Sequence, residues 1–257
     1  MTALLAALGL LTRVPIRRAF SESEVAGATA FYPLVGGAIG ASQAAVLWVA
    51  VVWLPAPAAD GGASRVPSMV LAVCLVALAV WITGAIHADG LADTFDGFGG
   101  GRSREEVLAI MRDPRVGAYG AVAIVVLLLL KVACLDALIQ RRAATIPLLV
   151  APIAGRWAMA ALGWWLPYSR TDGGLGAVAR GSVAGRGLAI ATASSTVLLA
   201  ALAGWHAAVF GTIAVGVTLV TGRAYRRRIG GFTGDTLGAT GELTEAAVWL
   251  AAIGMAA

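Results

Sequence analysis

Seven long apolar runs dominate the chain, and short polar or glycine-rich stretches separate each run from the next. A helix rises about 1.5 Å per residue, so roughly 20 apolar residues cross the roughly 30 Å hydrocarbon core of a bilayer. The pattern predicts membrane spans at residues 32–54, 69–86, 118–139, 145–166, 188–205, 207–222 and 236–256. Six spans are the alternative, because the fifth run and the sixth are separated only at the neighbourhood of Trp205 and His206.

The predicted fold is an all-α polytopic integral membrane bundle of six to seven transmembrane helices, forming a single membrane-embedded catalytic domain over residues 1–257. Strands are excluded, because open sheet edges leave backbone groups unsatisfied in lipid. The apolar segment 2–11 lacks a basic flank and a small-residue cleavage pattern, so it predicts an interfacial or re-entrant helix. Gly36 and Gly40 have the G-x-x-x-G spacing that lets transmembrane helices approach closely.

Composition and charge placement support a membrane location and suggest an orientation. The 257 residues are 59% hydrophobic and 13% charged, whereas roughly a quarter of residues are charged in soluble domains. Of the 19 Lys and Arg residues, fourteen fall in loops on the N-terminal side and three on the opposite side. The excess predicts that the N-terminus and the active site face the cytoplasm, in a multi-pass protein of the cell inner membrane. Arginines at a membrane face favour lipid head groups as partners and argue against nucleic acid.

Acidic residues cluster at the start of the longest cytoplasmic loop, residues 87–117. If the second span continues through this loop as a helix, Asp89, Asp93 and Asp96 fall on one face. Three stacked carboxylates repel one another unless a cation lies between them, and oxygen ligands suit Mg²⁺, Mn²⁺ or Ca²⁺. His87 would point to the opposite side, which predicts packing or hydrogen bonding. The alternative is that the three aspartates are solvated loop acids, each with an arginine partner.

A second acidic group occurs near the C-terminus. Asp235, Glu242 and Glu245 fall on one helix face, and the two glutamates lie roughly 10 and 15 Å deeper than Asp235. Carboxylates at that depth require a partner, a polar interior or a metal. The alternative is that Asp235 caps the helix while the glutamates form ion pairs with Arg156 or Lys131.

The order of these motifs along the chain resembles the adenosylcobinamide-GDP ribazoletransferase family, also called cobalamin synthase. The matching segments are 11–15, 87–97, 102–104, 110–113, Arg115, Gly117, 175–176, 230–239, Glu242 and Glu245. The resemblance implies a Mg²⁺-dependent membrane enzyme that joins adenosylcobinamide-GDP to α-ribazole or its 5′-phosphate. GMP is released, and adenosylcobalamin or its phosphate is formed.

The resemblance also assigns roles to residues. The metal-ligand candidates are Asp89, Asp93, Asp96, Asp235, Glu242 and Glu245, with Mg²⁺ as the expected ion and Mn²⁺ as the alternative. The catalytic candidates are Asp89, Asp93, Asp96 and Asp113, and the general base stays open among the last three. The substrate-binding candidates are Arg13, His87, Arg112, Arg115, Arg156 and Gly176; guanidinium groups suit phosphate oxygens. An oligomeric assembly is compatible with the sequence.

Two other functions compete with this interpretation. CDP-alcohol phosphotransferases carry a related aspartate motif on a membrane helix, but their motif places Arg where this chain has Asp93. A cation-coupled transporter would account for charged residues within spans, namely Glu242, Glu245, Lys131 and Arg156. The crowding of acids and arginines on one side favours the transferase.

Overall fold

The structure, a computed structural model, describes residues 2–53, 66–170 and 185–255. Within these ranges the helices are α1 (Thr2–Leu11), α2 (Glu22–Ala28), α3 (Tyr32–Trp53), α4 (Ser68–Thr83), α5 (Ile86–Gly100), α6 (Arg104–Ile110), α7 (Ala118–Gln140), α8 (Thr145–Trp165), α9 (Gly185–Ala203), α10 (His206–Ile229) and α11 (Gly234–Met255). The short 3₁₀ helix Thr29–Phe31 links α2 to α3. These helices confirm the predicted all-α class.

Five of these helical segments are long and apolar enough to cross a membrane, and six qualify if α4 and α5 form one bent span. The qualifying segments are Glu22–Val52, Ala118–Gln140, Thr145–Trp165, Gly185–Ala203 and His206–Ile229. Helix α11, the seventh predicted span, is not among them, because its three carboxylates lower its mean hydropathy. Helix α1 has ten residues and is about 15 Å long, half the thickness of the hydrocarbon core.

The second predicted span does not continue through the acidic motif. Helix α4 ends at Thr83, where Gly84 and Ala85 have φ values of 67° and 62°, and α5 leaves at an angle of 89° to α4. Gly84 ends α4 in the left-handed conformation that glycine commonly adopts at the C-terminal end of a helix. The local sequence does not predict the same conformation at Ala85. The predicted continuous helix is therefore wrong, but α5 itself preserves the helical spacing of its aspartates. Since three aspartates and four glycines lie within its 15 residues, we treat α5 as lying outside the membrane-spanning segments.

Helix α8 forms the centre of the bundle, and α3, α9, α10 and α11 pack around it. Its side chains are mostly buried, including those of Leu148, Val150 and Ile153. Helix α3 approaches it closely, since a Cβ atom at Gly40 would lie 2.5 Å from the carbonyl oxygen of Leu148. The predicted function of the G-x-x-x-G spacing as a close-packing motif is confirmed.

The arginine-rich segment near residue 226 is helical. Helix α10 extends to Ile229 and is capped by Gly230 at φ 76°, whereas the apolar pattern predicted an end at Gly222. The basic residues of the last turn favour helix continuation because they interact with its carbonyl end. Arg226 also lies over the ring of Trp165, 5.5 Å from the ring centroid, so the extension of α10 packs against the end of α8.

Candidate active site

The candidate site forms where α5 crosses α11. A Cβ atom at Gly90 would lie 2.7 Å from the carbonyl oxygen of Asp235, and one at Gly238 would lie 3.0 Å from the Cα atom of His87. Only glycine permits backbones to approach this closely. The crossing therefore brings Asp89 and Asp93, which lie 146 and 142 residues before Asp235 in the chain, into its neighbourhood.

The charges of the three carboxylates interact at this crossing. Burial raises the pKa of Asp93 to about 7, and the negative charges of Asp235 and Asp89 contribute to the same shift. Burial also raises the pKa of Asp235 above its ordinary value, although the nearby guanidinium of Arg170 opposes that shift. Asp89 is exposed, while Asp93 and Asp235 are half-buried, so the cluster opens toward solvent on one side.

The donor chemistry of the cluster fits a divalent cation. Within the described ranges, no group of three or more His, Cys, Asp or Glu side chains is arranged so that it could hold a metal ion as it stands. Yet Asp89 and Asp235 lie close enough to Asp93 for their charges to disfavour its ionisation, and hard oxygen donors of this kind are the ligands of Mg²⁺ and Mn²⁺. A cation between Asp89, Asp93 and Asp235 would remove that repulsion.

Asp96 lies on the same helix but has a different environment. It is buried, and its two carboxylate oxygens accept hydrogen bonds from the backbone N–H groups of Gly117 at 2.7 Å and Gly120 at 2.8 Å. These N–H groups belong to the start of α7, where a helix has unsatisfied donors and favours a negative charge. Asp96 therefore caps α7 and joins it to α5.

The two deep glutamates form a separate ionic group with side chains from α7 and α8. Lys131 donates to Glu242 at 2.5 Å and to Glu245 at 2.7 Å, and Arg156 pairs with the second oxygen of Glu245. All four side chains are 11% exposed or less. Of the two arrangements that the sequence allowed for Glu242 and Glu245, the structure shows the ion pairs.

Comparison with known proteins identifies the family. The model of the cobalamin-5-phosphate synthase family matches residues 3–253. The chain belongs to this family. The match includes both helices of the crossing and confirms the resemblance inferred from the motifs.

Similar proteins in this family cover nearly the whole chain. The relative from Syntrophobacter fumaroxidans, named adenosylcobinamide-GDP ribazoletransferase, is 41% identical over 246 residues, which are 93% of each chain. Proteins with the same name from Shewanella sp. strain ANA-3 and Chlorobaculum tepidum are 37% and 35% identical, covering 94% and 98% of this chain and 89% and 95% of their own. No solved structure matches the chain.

In this cobalamin-5-phosphate synthase family member, the predicted phosphate-binding arginines have different environments. Arg156 is 1% exposed, and its guanidinium forms an ion pair with Glu245. Arg13 is exposed, and its aliphatic stem packs over Gly84 at the bend before α5. Arg112 is also exposed and follows α6.

Arg115 and Asp113 form an exposed pair beside the start of α7. The Arg115 guanidinium donates to both oxygens of Asp113 at 2.9 and 2.6 Å, and its backbone N–H donates at 3.0 Å. These hydrogen bonds lower the pKa of Asp113 to about 2. Asp113 therefore remains ionised, and its oxygens are already engaged.

The last two predicted substrate-binding residues are His87 and Gly176. His87 is buried against α11 at Gly238 and is close enough to Glu242 and Arg156 to interact with their charges. Its burial fits the packing role that the sequence predicted for it. Gly176 lies outside the described residues.

One residue of the cluster was not singled out from the sequence. Arg170 donates to Asp235 at 2.7 Å and to the carbonyl oxygen of Met111 at 3.2 Å. Its position depends on a backbone contact between distant segments. The N–H of Phe232 donates to the carbonyl oxygen of Pro167 at 2.9 Å, and the carbonyl oxygen of Phe232 accepts from the N–H of Ser169 at 2.8 Å. An isolated pairing of this kind has no alternating pattern that would reveal it in sequence.

Proposed function

We propose that this protein joins adenosylcobinamide-GDP to α-ribazole, or to α-ribazole 5′-phosphate, with release of GMP. Family membership over residues 3–253 and the name shared by its relatives support the reaction. The observation that carries the assignment of the site is the meeting of Asp89, Asp93 and Asp235 at a glycine-lined crossing of two helices. Both helices lie within the family match.

The reaction transfers a substituted phosphoryl group. A ribose hydroxyl oxygen of the ribazole attacks the phosphorus that bears the cobinamide, and a new P–O bond forms. The P–O bond to the bridging oxygen breaks, GMP leaves with that electron pair, and the hydroxyl proton passes to a base. The protein must therefore align the hydroxyl, balance the diphosphate charge and accept one proton.

We assign Asp89, Asp93 and Asp235 as the residues that would hold a divalent cation, with Mg²⁺ as the expected ion and Mn²⁺ as the alternative. When bound, such an ion neutralises charge on the diphosphate and on the leaving phosphate oxygen. Asp96 acts beside them by holding α5 against the start of α7, so that the aspartates keep their spacing. The metal roles predicted for Glu242 and Glu245 are not part of this proposal, because both carboxylates are engaged with Lys131 and Arg156.

Asp93 is the candidate that best fits the general base. Its pKa of about 7 makes it a stronger proton acceptor than an ordinary carboxylate. Asp113 has a pKa of about 2, and both oxygens of Asp96 already accept backbone hydrogen bonds. We therefore propose Asp93 as the base among the three that the sequence left open; its pKa of about 7 applies without a bound cation, so it would accept the proton on a carboxylate oxygen that the cation leaves free.

We further propose that the site faces the cytoplasm at the inner membrane. Fourteen of the 19 basic residues fall on the N-terminal side of the predicted spans, as the positive-inside rule requires for cytoplasmic loops. Arg13, Arg112 and Arg115 are exposed on segments that flank α5. They are our candidates for contacts to the substrate phosphates.

The test is GMP release by purified protein from adenosylcobinamide-GDP, α-ribazole and Mg²⁺. We expect turnover in the wild type and a loss of at least about a hundredfold in Asp89→Asn, the scale of lost charge stabilisation. Asp136→Asn is the matched control, since Asp136 accepts from Gln140 near the opposite end of α7; it should retain activity. No GMP release, together with CMP release from a CDP-alcohol or ion flux in liposomes, would replace the proposal by one of its rivals.

A further inference from the structure

Among the described residues, Arg170 is a basic side chain that reaches the acidic crossing. Its guanidinium contacts Asp235 at 2.7 Å and the carbonyl oxygen of Met111 at 3.2 Å. The pair is partly shielded from water, because the side chains of Arg170 and Asp235 are 19% and 22% exposed. A charged hydrogen bond in such a setting is stronger than one at an open surface.

The same guanidinium also acts on a second carboxylate. Arg170 interacts favourably with the charge of Asp93, while Asp235 and Asp89 interact unfavourably with it. With all three acids ionised, Asp89, Asp93 and Asp235 carry a charge of about −3, and Arg170 reduces the sum to about −2. The residual charge is that which one divalent cation would balance.

The atom that Arg170 holds is one that a metal would need. Oδ2 of Asp235 accepts from the Arg170 guanidinium and, at 3.2 Å, from the hydroxyl of Thr233. A carboxylate that is coordinated to a divalent cation attracts a guanidinium less strongly, because the cation neutralises its charge. The divalent cation and the guanidinium also repel each other at this distance. Both therefore draw on the charge of the same carboxylate and compete for it.

We propose that Arg170 is a positioning residue that serves as the internal counter-ion of the acidic cluster and competes with a divalent cation for Asp235. This inference rests on the proposed function, because it assumes that the cluster is the metal site. In the absence of metal, Arg170 holds Asp235 in place and prevents repulsion from opening the α5–α11 crossing. A bound cation would weaken the contact between Arg170 and Asp235, and the guanidinium would then lie beside the acidic cluster.

The experiment measures Mn²⁺ binding to the detergent-purified full-length protein without substrate, from the electron paramagnetic resonance signal of free Mn²⁺. Arg170→Gln removes the competing positive charge and should tighten Mn²⁺ binding by at least about tenfold, as expected for loss of one nearby like charge. Arg170→Lys retains the charge and should stay within about threefold of wild type. Arg170→Met is a second neutral variant, to be used if the Gln variant is recovered unfolded.

Arg104→Gln is the matched control. Arg104 also joins distant segments near this crossing, donating to the carbonyl oxygens of Ile229 and Ser169 at 2.9 Å each, but it has no carboxylate partner among these contacts. Its removal should lower thermal stability without changing Mn²⁺ affinity. If Arg170 had only a structural role, its neutral variants would likewise lose thermal stability without a change in Mn²⁺ affinity.

The outcomes separate this inference from the proposed function. Unchanged or weaker Mn²⁺ binding in the neutral Arg170 variants, with wild-type protein that does bind Mn²⁺, overturns the counter-ion role and leaves the reaction intact. If wild-type protein binds no Mn²⁺ at all, the assignment of the metal site is wrong and the inference is overturned with it. Absence of GMP release from a protein that shows the expected Mn²⁺ pattern would count against the reaction only.

Discussion

The buried ionic group formed by Lys131, Glu242, Glu245 and Arg156 leads to a quantitative prediction about stability. Lys131 contacts both glutamates, and its side chain is 5% exposed. The substitution Lys131→Met keeps much of the side-chain volume but leaves two carboxylates with one guanidinium. One negative charge then remains uncompensated in the interior.

The size of the effect follows from this burial. Removing one partner of a buried ion pair costs about 3–5 kcal/mol, because the other charge stays desolvated. For a chain of 150–250 residues, 1 kcal/mol corresponds to about 2–4 °C in Tm. We therefore expect Lys131→Met to lower Tm by about 6–20 °C, measured by thermal unfolding of the detergent-purified protein with intrinsic tryptophan fluorescence.

Two further variants make the test specific. Glu242→Gln combined with Lys131→Met restores neutrality, since Glu245 and Arg156 balance each other, and should recover at least about half of the lost Tm. Arg115→Met breaks the ion pair between Arg115 and Asp113, whose side chains are 87% and 34% exposed, and should have little effect on Tm because water screens the pair. A Tm shift in Lys131→Met no larger than in Arg115→Met would refute the reasoning, as would a double variant less stable than the single one.

Other predictions concern the crossing of α5 and α11. Asp96→Asn removes one charged acceptor from the two N–H groups at the start of α7, so we expect a loss of about 1–3 kcal/mol in unfolding free energy. Asp89→Asn should leave Tm within about 2 °C of wild type. Equal Tm losses in the two variants would contradict these different roles. Gly90→Ala places a Cβ atom 2.7 Å from the Asp235 carbonyl oxygen. We expect GMP release to fall at least about tenfold, because the aspartates are displaced. Gly254→Ala is the control, since a Cβ atom at Gly254 would meet no atom of another segment within 4 Å. Protonation of Asp93 removes negative charge from the cluster, so Mn²⁺ affinity should rise as pH increases through about 7; Asp93→Asn should flatten that pH dependence, and a persistent dependence would exclude Asp93 as its source.

Much of the fold and part of the site were predictable from the sequence because they depend on local patterns. Apolar runs of span length predict membrane helices without knowledge of their neighbours, and the spacing of Asp89, Asp93 and Asp96 places them on one helix wherever that helix points. The small residues Gly36 and Gly40 likewise predicted close packing, although not that α8 would be the partner.

The electrostatic environment of the acids could not be predicted in the same way. Asp89 and Asp96 occupy the same face of α5, yet the first is exposed and the second caps α7. Asp235 and Glu242 occupy the same face of α11, yet the first joins the crossing and the second pairs with Lys131. Helical periodicity specifies direction around an axis, whereas the partner at each level depends on the helix that packs there.

By itself, the sequence determined that this chain forms membrane helices, that its acids concentrate on two of them, and which family its motifs resemble. Only the tertiary structure decided that α5 turns away from α4 at Gly84 and Ala85, that Asp235 meets Asp89 and Asp93, and that Arg170 lies between Asp235 and Met111. The physical reason is that hydropathy and helical spacing act over a few residues, while the contacts that pair Arg170 with its partners join segments 59 or more residues apart.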